Sequence, residues 1–385
     1  MNIDTTEQTQ TTAPAIGYMP GYAQVFSHRF PYRWTLKDAV FTKDKGKVFS
    51  CFACGGGSTM GYKLAGFDVI GCNEIDPKMM EAYKANHTPK YAFLEPIQTF
   101  KMREDLPQEL YELDILDGSP PCSSFSMAGN REKDWGKDKV FREGQAMQVL
   151  DTLFFDFIDL AKKLQPKVVV AENVKGLLLG NAIQYVRQIY REFDLAGYYC
   201  QHWLLDASKM GVPQRRERVF FIALRKDLAK PFLKQMNLFD ILPEIKLEFN
   251  EPEIKFREIS QLSKEFENQI YIDKWDKIPE GMSWDKVSEE NRFSTIKINY
   301  NEVLPTITAS QRKSFYTGFL HPKQKRKLCD MEFILGGTFP TDYNIGNQKS
   351  ENYTAYLIGM SVPPVMTANI ATEIYSQWLS KLARS

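Results

Sequence analysis

A chain of 385 residues, 43% of them hydrophobic, is long enough for one large or two modest domains with a full core. Its 49 lysines and arginines against 48 acids exclude a diffuse polyanion binder, so any nucleic-acid site has to be local. Six cysteines without framework spacing suit a reducing compartment, and the sequence shows neither a signal peptide nor a run of about 18 apolar residues.

Residues 1–20, rich in Thr, Gln and Ala, are expected to be disordered. Aromatics and arginines mix between Tyr22 and Trp34, a pattern that fits packing better than nucleic-acid contact because aromatic side chains bury large areas. From Lys47 short apolar runs alternate with helical patterns. Residues 48–52 read as a buried strand, Cys54-Gly55-Gly56-Gly57-Ser58 as a tight loop, and the next residues as a helix to about Ala65. Strand signals recur at 67–73, 113–116, 168–171, 199–205 and 219–224, with helices over 77–86, 144–164 and 182–193. The alternation predicts an α/β fold with a mostly parallel sheet covered on both faces. After about Leu228 the rhythm breaks, with prolines at Pro231, Pro243, Pro252 and Pro279, as expected for a smaller domain. Helical signals return at 329–335 and 369–382, the latter amphipathic enough to rejoin the main core.

Three glycines after the first strand let backbone approach a ligand closely, and the helix start offers unpaired amides. Glu74, about 20 positions on, is placed to bind ribose hydroxyls, although a structural turn would explain the glycines alone. Ser58-Thr59 follow the glycines directly, so the phosphate-binding lysine of a P-loop is absent. Ser119-Pro120-Pro121-Cys122 puts a thiol on a rigid turn after a buried strand, where a nucleophile belongs. Glu172-Asn173-Val174 and Gln214-Arg215-Arg216-Glu217-Arg218 also border strand runs, where open sheets build ligand sites. Cys51-Phe52-Ala53-Cys54 has no second pair at zinc spacing, and no metal site is expected.

In this order the segments resemble the cytosine-5 DNA methyltransferases over roughly residues 47–379. Phe52-Ala53-Cys54-Gly55-Gly56-Gly57 is similar to that family's first methyl-donor motif, and Asn73-Glu74-Ile75-Asp76 to its ribose motif. Pro120-Pro121-Cys122 resembles the catalytic loop, Glu172-Asn173-Val174 the catalytic acid, and residues 214–218 the arginine motif. Gly359-Met360-Ser361-Val362-Pro363-Pro364 resembles the terminal motif, in which the chain returns to complete the donor pocket. The resemblance implies a Rossmann-like S-adenosylmethionine-dependent fold, with a mostly parallel seven-stranded sheet and a smaller target-recognition domain. It implies a donor site drawn from Phe52, Cys54 and Gly55 to Gly57, then Glu74, Ile75, Ile97, Pro120, Ser361 and Val362. In the family's chemistry a thiolate, here Cys122, adds to C6 of cytosine, so that C5 becomes enamine-like and takes a methyl group. Glu172 would relieve charge through N3 and Asn173 would orient the loop, while Arg216 or Arg218 would supply the charge that lowers the thiol from its free pKa of about 8.5. Water or hydroxide is the family's base for the C5 proton.

A base inside a duplex has to be flipped to reach Cys122, and Ser123, Ser124 and Gln214 are expected beside it. Phosphate contacts are expected from Arg312-Lys313, from residues 323–327, which include Lys325 and Arg326, and from Arg131, Lys133, Lys137 and Lys139. The resulting division is an N-terminal extension (1–45), a catalytic and donor-binding domain (46–225), a target-recognition domain (226–303) and a DNA-contacting return (304–385). Five positions depart from the family pattern: Cys54 for glycine, Pro96 for an acid, Cys329 for threonine, Leu335 for arginine and Met360 for asparagine. The expected partner is double-stranded DNA, with a cognate restriction endonuclease as a system partner that is not stably bound. A cytoplasmic, nucleoid-associated monomer without a membrane segment is expected. Two alternatives stand beside this reading: a tRNA methyltransferase of the same fold, against which Ser126 counts, and an inactive DNA-binding relative, which would be expected to have lost Cys122 or Glu172.

Overall fold

The structure, a computed structural model, describes residues 28–121, 152–179, 182–235, 241–288, 295–309, 317–346 and 353–382, with the backbone of 138–139 and 148–149. The core strand β1 (Lys47–Cys51) is buried along nearly its whole length, as its unbroken apolar sequence requires. It leads through a tight loop into α1 (Gly57–Leu64), then β2 (Asp68–Glu74) and α2 (Pro77–His87). Asp76 caps α2, its carboxylate accepting from the amides of Lys78 and Met79, and Pro77 fills the first turn where no amide is needed. The chain continues through β3 (Tyr91–Leu94), α3 (Ile97–Phe100), β4 (Ile115–Gly118), the two-residue strands β5 (Asp138–Lys139) and β6 (Gln148–Val149), and α4 (Leu153–Leu164). There follow β7 (Val168–Val174), α5 (Ile183–Leu195), β8 (Tyr198–Asp206) and β9 (Glu217–Arg225).

Seven of these strands form one sheet in the order β3-β2-β1-β4-β7-β9-β8, parallel except for β9, which runs against both neighbours. A short connection suffices between β8 and β9 because they are antiparallel, whereas the parallel pairs need crossovers. One face of the sheet is covered by Phe100, Phe154, Phe157 and Phe193 from α3, α4 and α5. The other holds Val48, Tyr62, Ile115, Val170 and Ile222 against the C-terminal helices. The helix expected over 144–164 starts only at Leu153, because Gln148 and Val149 pair with residues 138–139 in an antiparallel ribbon.

Beyond β9 the strands β10 (Leu233–Gln235) and β11 (Ile241–Pro243) form a ribbon, and Ile245 and Leu247 bury against the same core as the last helix. Trp378 Nε1 donates to the Glu244 carbonyl at 2.8 Å. This segment therefore packs on the same core as the C-terminal helices. Farther along come α6 (Phe256–Ile259), α7 (Gln269–Lys277), the paired β12 (Ile296–Lys297) and β13 (Phe319–Leu320), α8 (Asp330–Gly336) and α9 (Tyr353–Met360). Then α10 (Pro364–Ile374) returns to the sheet and continues as a π-helical turn, Tyr375–Leu379. Within 28–45, Phe30 and Trp34 are buried, Trp34 donating to the Thr338 carbonyl, and Arg29 pairs with Glu373 at 2.7 Å. Among the described residues no helix is long and apolar enough to cross a membrane.

Candidate active site at the switch point of the sheet

The chain leaves β1 toward β2 on one side and β4 toward β7 on the other, so the carboxyl ends of β1 and β4 flank a switch point. The loop after β1 carries three left-handed residues, Phe52 (φ 51°), Cys54 (φ 46°) and Gly56 (φ 86°). Two of them bear side chains, at a cost of roughly 1–3 kcal/mol each. The left-handed φ at Cys54 supplies the physical reason a glycine is usual there. The loop is restrained by Glu74: its Oε2 accepts from the Cys54 amide at 2.7 Å, and its Oε1 accepts from Ile75 and Asp76 at 2.8 Å. Burial nevertheless raises the Glu74 carboxyl against those three donors.

The space opened by the missing Cβ atoms is filled by the protein itself. A Cβ on Gly55 would meet Leu357 at 2.4 Å, one on Gly56 would meet His87 at 2.1 Å, and one on Gly57 would meet the Val362 carbonyl at 2.2 Å. Ser361 and Val362 thus pack directly on the loop, with Ser361 Oγ donating to the Leu357 carbonyl. The helix α1 begins at Gly57 with no side chain capping its first amides. Phe52 packs edge-on against Phe157, Ile75 is half-buried, and Ile97 is buried in the α3–α4 core. Glu95 is engaged by Arg103 at 3.0 Å.

On the other side of the switch point, Asn173 near the end of β7 donates to the Pro120 carbonyl at 3.1 Å. Neighbouring Glu172 is held by Arg218 Nε at 2.9 Å, a diagonal pair across the antiparallel β7–β9 ladder in which Val174 faces Arg218. Arg216, 2% exposed, donates from Nη1 to the Ile307 carbonyl and from Nη2 to the Gly359 carbonyl, while its Nε–H has no partner. Burial, then Arg218, pulls its pKa down to about 9, which leaves it charged at neutral pH. Two guanidinium groups therefore stand beside the Glu172 carboxylate.

Asp117 is a site residue the motifs do not announce, since it sits inside an apolar strand. Ser50 Oγ donates to it at 2.8 Å and the Tyr62 hydroxyl at 3.2 Å, and burial lifts its pKa from 3.8 to about 7, with Glu172 adding to the rise. The folded chain keeps this proton while the unfolded chain releases it, so stability is lost as pH rises from 3.8 through about 7 and is flat above. Asp117→Asn is expected to shrink that fall, raising the unfolding midpoint at pH 8 by at least about 2 °C relative to the parent while changing it little at pH 4. Thermal unfolding at several pH values checks it; parallel pH profiles would reject the assignment. Burial and Asp117 also push the Cys51 thiol up, and burial, Glu74 and Glu172 push up Cys54, which favours the protonated thiol at both.

Several residues expected to face nucleic acid are spent inside the protein. Gln214 is 1% exposed, its amide donating to the Gly336 carbonyl and accepting from the Ile307 amide. Arg326, also expected on the surface, is buried in a two-pronged pair with Glu332, at 2.8 and 2.9 Å. Burial lowers Lys327 to about 8. Lys325 remains partly exposed and pairs with Asp276 at 2.8 Å. Cys122, Ser123, Ser124, Arg131, Arg312 and Lys313 lie outside the described residues.

This sheet order, with a glycine loop after β1 and an anchored carboxylate after β2, defines the Rossmann-like class of S-adenosylmethionine-dependent methyltransferases. Solved structures agree on the fold. A methyltransferase encoded within an E. coli prophage is 20% identical with a TM-score of 0.60, covering 86% of this chain and 99% of its own. DNMT2 of Spodoptera frugiperda is 18% identical with a TM-score of 0.57, covering 88% and 99%. The family profile for C-5 cytosine-specific DNA methylases matches residues 46–376, and the chain belongs to that family. Type II methyltransferase M.FnuDI of Fusobacterium nucleatum is 38% identical over 183 residues, 47% of this chain. That match spans about half the relative's length, 48%. Type II methyltransferase M.DdeI of Desulfomicrobium norvegicum is 28% identical over 85% of this chain and 88% of its own.

Proposed function

We propose that the chain is a DNA (cytosine-5-)-methyltransferase that modifies a flipped cytosine in a specific duplex sequence through a covalent Cys122 adduct at C6. The observation that carries this reading is the bond from Asn173 to the Pro120 carbonyl. It ties the strand bearing Glu172 to the turn that immediately precedes Cys122.

The residues present fit S-adenosylmethionine. The uncapped amides of α1 suit its carboxylate, and Glu74, oriented by three backbone amides, keeps one lone pair on Oε2 for a ribose hydroxyl. When bound, the donor supplies an electrophilic methyl group to C5. The protein's part is to form the Cys122–C6 bond, relieve charge on the ring through Glu172, and break that bond once the C5 proton has gone to water or hydroxide. The cationic pair Arg216 and Arg218 favours the thiolate, and their fixed positions require no rearrangement as charge develops.

Duplex phosphates would meet the partly exposed Lys325, in competition with Asp276, and the basic residues outside the described parts, Arg131, Arg312 and Lys313. The Type II relatives favour a role beside a cognate restriction endonuclease, on nucleoid DNA in the cytoplasm.

The test is incubation with labelled S-adenosylmethionine and, separately, unmethylated genomic DNA and bulk tRNA, followed by identification of the modified base. 5-Methylcytosine in DNA alone is expected. Label in tRNA alone would move the substrate to RNA, and label in neither would reject the activity.

A further inference from the structure

The glycine loop is restrained on two sides. On one side Glu74 takes the Cys54 amide; on the other, the Tyr343 hydroxyl donates to the Gly55 carbonyl, a bond that spans 288 positions of sequence. Tyr343 is itself 5% exposed and packs edge-on against Phe339. Its oxygen lies 2.9 Å from His87 Nε2 at the end of α2, and the His87 ring is tilted over Tyr83 at 4.4 Å. Since Tyr343 gives its proton to Gly55, its oxygen accepts from His87, which fixes the tautomer with the proton on Nε2. The bare Nδ1 is then the nitrogen left without a partner, as observed. Burial raises the Tyr343 hydroxyl and keeps it a donor, and burial with Lys63 nearby holds His87 neutral.

A loop with side-chain-bearing residues at φ 51° and 46° does not keep that course unaided. The amide of Cys54 and the carbonyl of Gly55 are fixed separately, one by a strand end and the other by a residue far along the chain. We propose that Tyr343, set by His87, is a positioning residue for methyl-donor binding, acting through the Gly55 carbonyl on the course of the loop 52–57. The proposal rests on the reading that this loop holds S-adenosylmethionine.

The test is calorimetric binding of S-adenosylhomocysteine to the full chain, with each variant's fold checked by circular dichroism. Tyr343→Phe keeps the ring and removes the hydroxyl, and is expected to weaken binding about tenfold, the worth of one buried hydrogen bond. In turnover assays KM for the donor should rise while kcat at saturating donor and KM for DNA stay within about twofold, the signature of lost ground-state positioning. A residue that only stabilised the fold would lower the unfolding midpoint without that split. His87→Gln retains an N–H donor and should keep most of the affinity; His87→Leu should lose it as Tyr343→Phe does. Parent-like affinity in folded Tyr343→Phe and His87→Leu overturns the proposal, and if Tyr343→Phe does not fold, the His87 pair decides alone. A parent chain that fails to bind S-adenosylhomocysteine overturns instead the reading of the loop on which the proposal rests.

Discussion

Cys122→Ser is expected to abolish methyl transfer, by at least about 10³-fold, while the duplex is still bound. A serine hydroxyl ionises far less readily than a thiol whose free pKa is about 8.5, so no nearby cation brings it to a useful alkoxide fraction at neutral pH. Without the bond to C6, C5 is not enamine-like and gains nothing from a bound donor. In the proposed reading Arg216, charged at its pKa of about 9, and Arg218, aligned by Glu172, are the cations that would favour the thiolate over the thiol. Methyl incorporation into DNA is measured beside a gel-shift titration of the same duplex. Turnover above about a tenth of the parent's would remove Cys122 from the mechanism, because losing a nucleophile costs far more. Loss of DNA binding together with turnover would mean that the substitution disturbed the loop and not merely the chemistry.

The second large effect is at Glu172. Glu172→Gln keeps the length and the acceptor oxygen but removes the charge and the transferable proton, and a loss of about 100-fold or more in kcat is expected. The geometry separates this from a folding defect. Arg218 Nε is held by Glu172 at 2.9 Å, with both side chains largely out of water, so the amide leaves a cation with a weaker partner and should also lower the unfolding midpoint. Arg218→Lys supplies the control, since it retains charge but loses the planar fork that fits a carboxylate. If destabilisation alone explained the loss, the two variants would fall together when compared at temperatures where both are folded. If Glu172 acts on the base, its variant falls well below the lysine variant. A kcat within about threefold of the parent, far short of the general-acid range, would reject the role.

Much of this architecture is legible in the sequence because parallel strands buried on both faces leave unbroken apolar runs. The runs at 48–52, 168–171 and 219–224 reappear as strands at Lys47–Cys51, Val168–Val174 and Glu217–Arg225. Phe52 is the instructive difference, since its left-handed φ removes it from the strand it matches in hydropathy. The strand Tyr91–Leu94 is not legible, being four residues on an exposed edge. The helix Tyr353–Met360 is nearly apolar all round and so has no amphipathic period to read. At the site, motifs point to Glu74 and Glu172 because both lie at or near strand ends. They cannot point to Tyr343, whose role depends on a contact 288 positions away, nor distinguish Arg326, paired internally with Glu332, from a surface lysine. A run of basic residues states charge, whereas burial decides what that charge meets.

The packing of α10 on α1 also sets a timetable for synthesis. A Cβ on Gly61 would touch the Pro364 carbonyl, and about 300 residues separate the two, which a ribosome adding roughly 5–20 residues per second spans in on the order of 15–60 s. Throughout that interval the flank of α1 that carries Tyr62 lacks its C-terminal cover. The loop 52–57 waits in the same way for Tyr343, Ser361 and Val362, so chains stopped short of these residues would not compete with longer ones for the methyl donor.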